Sequence, residues 1–286
     1  KHIIKTNPKV VMLIDLPDIN LRMAKHLRKK GYSGKIVQVV CPTIWAWRPK
    51  RKATLEKYYD HLFCLFPFEK ELFKDSPLEV SYIGHPLKSI VPNRETAKKK
   101  VLAIFPGSRK QEIEKLLSVF LEASKDFPDY EIHISVAKKS LLPAIKELTK
   151  DYTVTLRMPE EKDALLKEAS FALSKNGTIN LELALSHIPQ ITCYPVSFFE
   201  TAVIARIFSL YLTHYSLPNI ILKKRIIPEL IGPLASVKNM KKELHNLIHD
   251  PYIKKSMEAD YLELSEIFKK DSPINGSSIL ESQLCD

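Results

Sequence analysis

Two short glycine-containing segments have the residue types to hold a phosphate. Pro106-Gly107-Ser108-Arg109 follows an apolar run, Val101 to Phe105, and leads into a helical pattern. Gly107 lets the backbone come close to a ligand, the N–H groups of a helix start favour an anion, and Arg109 adds a forked donor for phosphate oxygens. Asn176-Gly177-Thr178 repeats the arrangement after Phe171 to Leu173. Glu182 follows about one helical turn past Thr178, where a carboxylate would accept hydrogen bonds from ribose hydroxyls. The competing readings are an ordinary turn with a surface arginine, a helix cap, and for Glu182 a solvent-facing helix carboxylate. Two phosphate-type loops in one half of the chain strengthen each other.

The first half holds a different set. Asp15 closes an apolar strand, where a general base would face a ligand, while Asp18 precedes a helix beginning near Ile19 and is placed to cap it. Capping is the competing reading for both. Trp45-Ala46-Trp47-Arg48 contains both tryptophans of the chain, and in an extended segment they share a face. Core packing competes there with a sugar platform. The adjacent basic residues Arg48, Lys50, Arg51 and Lys52 suit an acceptor phosphate or anionic lipid headgroups. His85, in Ile83-Gly84-His85-Pro86, reads as a structural histidine. No His, Cys and carboxylate set has metal-ligand spacing, and neither a Gly-x-Ser-x-Gly elbow nor a Walker-type loop occurs. Ser216-Leu217-Pro218-Asn219 and Pro228-Glu229-Leu230-Ile231-Gly232 read as loop-like segments.

Short β-branched runs alternate with longer helical patterns, the signature of βαβ units and parallel sheets. The first half predicts strands at 10–15, 35–40, 61–66 and 80–83. Between the first two lies an amphipathic stretch, Ile19, Met23 and Leu27, closed by Arg28, Lys29 and Lys30 before Gly31. Pro86 to Lys100 interrupts the pattern and is the expected linker. A second series follows, with strands at 101–105, 130–136, 153–156, 171–173 and 190–194, and two helices about Asp250-Pro251 close it. The expected domains are 1–92 and 93–286, the latter carrying the C-terminal helices. Ligands of such open sheets bind beyond the carboxyl ends of the strands, in a cleft where two sheets face each other.

With 45% apolar and 27% charged residues in 286, a two-domain α/β protein is expected and disorder is not. The apolar runs fall short of the ~20 residues of a membrane-spanning helix. The start at Lys1, without Met or a signal-peptide pattern, suggests a fragment or a processed chain. Four scattered cysteines, Cys41, Cys64, Cys193 and Cys285, fit a reducing cytoplasm. Residues 1–100 hold 21 of the 44 Lys and Arg but 9 of the 33 Asp and Glu. That asymmetry favours anionic partners, whether nucleic acid, lipid surface or phosphorylated substrate, against the plainer alternative of a solvated basic face.

In order along the chain, Ile14-Asp15-Leu16-Pro17-Asp18-Ile19-Asn20, Cys41 to Arg48, Phe66-Pro67-Phe68-Glu69, Ile83 to Pro86, Pro106 to Arg109, Asn176 to Thr178 with Glu182, and Ser216 to Asn219 resemble lipid A disaccharide synthases. The resemblance implies the GT-B fold: an α/β architecture of two Rossmann-like, doubly wound domains facing a cleft, here with the first one incomplete. It implies inverting transfer of diacylglucosamine from a UDP donor to diacylglucosamine 1-phosphate, with no metal and no cofactor. By the same resemblance, Asp15 matches the family's essential aspartate and becomes the expected base. Arg109 and Asn219 match positions associated with UDP, and Gly107, Ser108, Asn176, Gly177, Thr178 and Glu182 occupy the segments that face the nucleotide. Trp45, Trp47, Arg48 and Arg51 are expected on the acceptor or membrane side. A peripheral location on the cytoplasmic face of the bacterial inner membrane follows, with an anionic membrane surface as partner and a homodimer left open. The family's N-terminal strand and glycine-rich loop lie upstream of the point where this chain starts, and Gly232 stands where the family has a polar residue. Another GT-B UDP-sugar transferase or an epimerase is the alternative. A basic nucleic-acid-binding module is disfavoured, because the basic residues are dispersed over several elements and no nucleic-acid motif occurs.

Overall fold

Strands whose residues are all apolar must be covered on both faces, which parallel sheets flanked by helices achieve. The computed structural model describes residues 1–45, 48–87, 100–195 and 213–270. The described residues form two units, one of residues 1–87 and one of residues 100–195 and 213–267, with the end of the last helix from Phe268 grouped with the first.

The first unit has a four-stranded sheet in the order β1 (Val10–Ile14), β2 (Lys35–Val39), β3 (His61–Cys64), β4 (Glu79–Tyr82), every pair parallel. Helices α1 (His2–Thr6), α2 (Pro17–Lys29), α3 (Arg51–Tyr58) and α4 (Pro67–Glu71) connect or flank the strands. The core packs Val11, Leu13, Leu21, Ala24, Leu27, Ile36 and Leu62 together. Helix α2 therefore buries Leu21, Ala24 and Leu27; of the expected stripe Leu27 turns inward, while Ile19 and Met23 are exposed. They share that exposure with Met12, Ile14 and Leu16. The helix also starts earlier than expected, because Pro17 presets the first helical residue.

The second unit has six parallel strands, β5 (Val101–Phe105), β6 (Glu131–Ser135), β7 (Thr155–Arg157), β8 (Phe171–Lys175), β9 (Gln190–Tyr194) and β10 (Glu229–Ile231). The helices are α5 (Lys110–Ser124), α6 (Leu142–Thr149), α7 (Lys162–Glu168), α8 (Thr178–Leu185), α9 (Leu217–Leu222), α10 (Val237–His249) and α11 (Pro251–Lys270). The strand order β10-β9-β8-β5-β6-β7 is that of the doubly wound Rossmann sheet, read from its far edge. β5 is buried along its whole length, and α5 turns Ile113, Leu116, Leu117, Phe120 and Leu121 inward at helical spacing.

Two segments read as loops are regular. Glu229–Ile231 pairs in parallel with Thr192–Tyr194 as the edge strand β10, too short for its period to show beside Pro228 and Gly232. Ser216 is the N-cap of α9, which takes in Leu217, Pro218 and Asn219. Among the described residues no helix is long and apolar enough to cross a membrane.

Candidate functional site

In a sheet of this order, chain connections leave in opposite directions from β5 and β8. A crevice opens beyond their carboxyl ends at that switch point. The segments after these strands are Pro106 to Arg109 and Asn176 to Thr178, and both border a cavity of about 520 Å³ whose lining includes Gly107, Ser108, Gly177, Thr178, Lys162 and Lys175. Gly107 has φ +117°, and a Cβ there would lie 2.7 Å from Glu112 Oε2. The position admits only glycine without strain. Ser108 N–H donates to the same oxygen at 3.3 Å.

The other residues expected on the nucleotide side are placed less directly. Arg109 is the N-cap residue of α5; its side chain is 80% exposed, 3.4 Å from Glu112, beside the cavity wall rather than in it. Asn176 Nδ2 donates to the Tyr215 carbonyl at 3.0 Å, and Gly177 N–H donates to Asn180 Oδ1 at 2.8 Å. Both bonds stiffen the turn. Glu182 is neither solvent-facing nor on the cavity wall: it is buried, and its carboxylate pairs at 2.7 Å with Lys162, which does line the cavity. Asn219 is wholly buried, accepting from Ile226 N–H and Ile227 N–H at 2.9 Å each and donating to the Ile227 carbonyl at 3.0 Å. Its polar atoms tie α9 to the chain entering β10. Lys162, Lys175 and Glu112 line this cavity and escaped the sequence reading. Glu112, three residues after Arg109 and in the first helical turn, carried the one signal that could have found it.

In the first unit, Asp15 and Leu16 both adopt the left-handed region, with φ 50° and 38°. Such a conformation costs non-glycine residues ~1–2 kcal/mol each and persists only where the surroundings enforce it. They do: Asp15 N–H donates to the Val39 carbonyl at 2.9 Å, while its own carbonyl accepts from Asn20 Nδ2 at 2.5 Å and Gln38 Nε2 at 3.1 Å. The amides of Asn20 and Gln38 are buried. With its backbone clamped, Asp15 leaves its side chain exposed beyond the carboxyl end of β1.

Asp18 is not the N-cap of α2, a position that Leu16 occupies. It lies in the first helical turn and pairs with Arg48 at 2.9 Å and with Arg51. Trp45 lies in a turn, not an extended run: its Nε1–H donates to Glu69 Oε1 at 3.1 Å and its ring meets Phe68 edge-on, 5.4 Å between centroids. The packing reading suits Trp45, while Ala46 and Trp47 lie outside the described residues. Glu69 also accepts from Leu65 N–H and Phe66 N–H at 3.1 Å each, and burial pushes its carboxyl from 4.5 up to about 7. His85 Nδ1 accepts from Leu87 N–H at 3.1 Å and its ring stacks on Phe66. Burial lowers its basicity, which fits a structural histidine.

The family model described as lipid-A-disaccharide synthetase matches residues 1–273. The chain belongs to that family. A lipid-A-disaccharide synthase of Synechocystis is 32% identical over 287 residues, covering 93% of this chain and 73% of the relative. That of Chlamydia trachomatis serovar D is 41% identical over 249 residues, covering 81% of this chain. The chain spans about two fifths, 41%, of the length of that chlamydial relative. Among solved structures, the S. aureus MnaA–UDP co-structure has a TM-score of 0.58 at 12% identity, covering 90% of this chain and 70% of that one. Phytolacca americana UGT2, complexed with UDP-2-fluoro-glucose and pterostilbene, has a TM-score of 0.58 at 13% identity, covering 100% and 78%. These likenesses bear on the fold, and the fold of this family member is that of the GT-B glycosyltransferases.

Proposed function

We propose that the chain carries out lipid A disaccharide formation, the inverting transfer of diacylglucosamine from UDP-diacylglucosamine to diacylglucosamine 1-phosphate. The observation that carries this reading is the cavity at the switch point of the second unit, where two glycine turns and two helix starts border one space. Helix N-termini and a nearby arginine suit the diphosphate of UDP and stabilise it as it leaves. Asp15 supplies the base: its exposed carboxylate takes the proton of the acceptor hydroxyl as that oxygen attacks the anomeric carbon. Exposed Ile14, Leu16 and Ile19 around it offer apolar surface to acyl chains, and Arg48 and Arg51, tethered by Asp18, offer charge to an acceptor phosphate or to anionic headgroups. A peripheral site on the cytoplasmic membrane face is consistent with those surfaces.

The test is calorimetric titration of UDP together with a transfer assay on the two acylated sugars. Binding of UDP is expected, and Arg109→Ala should weaken it by ~10- to 100-fold, the loss of one charge-assisted phosphate contact. Absence of UDP binding by the folded chain overturns the reading.

A further inference from the structure

Glu112 occupies the place between the two glycine turns that an anion would take. Its carboxylate accepts Ser108 N–H at 3.3 Å and lies 3.4 Å from Arg109 Nη1 and 3.3 Å from Lys175 Nζ. Lys175 is the last residue of β8, directly before Asn176. Its side chain is 19% exposed, held by Glu112 on one side and by the face of Tyr194 on the other, 5.2 Å from the ring centroid. Lys175 nonetheless lines the cavity, and a Cβ placed on Gly177, another lining residue, would be 4.0 Å from its Nζ. Holding a lysine's flexible stem in one geometry costs rotamer entropy. Here Glu112 and Tyr194 already hold the ammonium, at the carboxyl end of the strand where a ligand would bind.

We propose that Lys175 is a binding residue for the nucleotide diphosphate, held in place by Glu112 and Tyr194; this rests on the UDP reading of the same cavity. One diphosphate oxygen takes Lys175 Nζ as a partner, beside the turn at Ser108 that leads into α5. Two cations, Arg109 and Lys175, then face the phosphates against a single carboxylate, so the local charge is positive before the ligand arrives. Lys162 does not serve in the same way, because its charge is matched by buried Glu182 at 2.7 Å. The leaving group gains charge as the glycosidic bond to UDP breaks, so a fixed ammonium there favours departure as well as binding.

The experiment measures affinities of the 286-residue chain for UDP, UMP and uridine by calorimetry and, for uridine, ligand-observed NMR. Lys175→Met should weaken UDP by ~10- to 100-fold, as loss of a charge-assisted contact does, and leave uridine within about 2-fold, a difference below the ~1 kcal/mol of one ordinary hydrogen bond. Lys175→Arg, which keeps the charge, should retain most of the UDP affinity. Lys175→Gln is the second neutral variant and should repeat the split between UDP and uridine if Lys175→Met does not fold. Unchanged UDP affinity in a folded neutral variant overturns the proposal while leaving the UDP reading intact. An equal loss of all three ligands, with the fold intact by circular dichroism, also overturns it. No UDP binding by the unaltered chain overturns both.

Discussion

Glu69 offers the sharpest test of the energetics, because one buried carboxyl links three N–H donors and titrates near neutrality. It is 2% exposed and accepts from Leu65 N–H, Phe66 N–H and Trp45 Nε1–H. These bonds favour the carboxylate, but burial outweighs them and raises its pKa from 4.5 to about 7. The native state therefore holds this proton more tightly than the unfolded chain does. The associated stability is fully present below about pH 4.5 and is lost as pH rises through 7. With about 1.4 kcal/mol per pH unit between the two values, the loss is about 3 kcal/mol. Cys41 and Cys64, beside Glu69, are pushed further up by burial and by its charge, so they remain thiols over this range. His61 and His85 in the same unit are lowered by burial and contribute the opposite trend, losing stability as pH falls below 6.5. The comparison with Glu69→Gln isolates the carboxyl from them. Gln keeps an acceptor for the two backbone donors, but its NH₂ faces the indole N–H, costing ~1 kcal/mol. Urea unfolding followed by tryptophan fluorescence reports on this unit, since both tryptophans, Trp45 and Trp47, belong to its sequence. At pH 4.5 the variant should be the less stable protein by ~1 kcal/mol, and by pH 8 the more stable by ~2 kcal/mol, the balance of that lost bond and the linkage loss. A stability difference that stays constant to within 1 kcal/mol from pH 4.5 to 8 (about one ordinary hydrogen bond) would refute the argument that burial dominates.

Asp15→Asn should lower transfer by ~10²–10⁴ with UDP affinity unchanged, as expected for loss of a general base, whereas Asp18→Asn weakens only exposed ion pairs to Arg48 and Arg51, worth up to ~1 kcal/mol each, and should keep most of the rate; transfer assays that show the reverse pattern would move the base to Asp18. Asn219→Ala strands two buried N–H groups and a carbonyl, so thermal denaturation should show a loss of ~2–4 kcal/mol, with UDP affinity of the folded protein retained; a tenfold weaker UDP complex at unchanged stability would make Asn219 a ligand contact.

The alternation of strands and helices was legible because the two periods are local. β5 and β9 have the bounds their apolar runs predicted, and α10 and α11 meet at Asp250-Pro251 as expected. The glycine turns after β5 and β8 were legible for the same reason, since a strand, a glycine and a helix start are adjacent in sequence. The misreadings have one cause. Ile19 and Met23 are as apolar as Leu21, and only the direction in which α2 lies on its sheet decides which of them is buried. Glu229–Ile231 is too short to announce itself and becomes a strand by pairing with β9.

For the site, residue types and strand-end positions by themselves determined which segments could hold a phosphate or carry a base. Tertiary structure alone decided what each side chain does there. Asp18 meets arginines from the far side of β2 and does not cap its helix; Glu182 spends its charge on Lys162 from another helix; Asn219 satisfies backbone groups leading into β10. Lys175 faces Glu112 because β8 lies beside β5. A hydrogen bond or ion pair depends on a few ångströms of separation and on burial, and both are set by which strands neighbour each other, a property of the closed sheet that no local stretch of the chain contains.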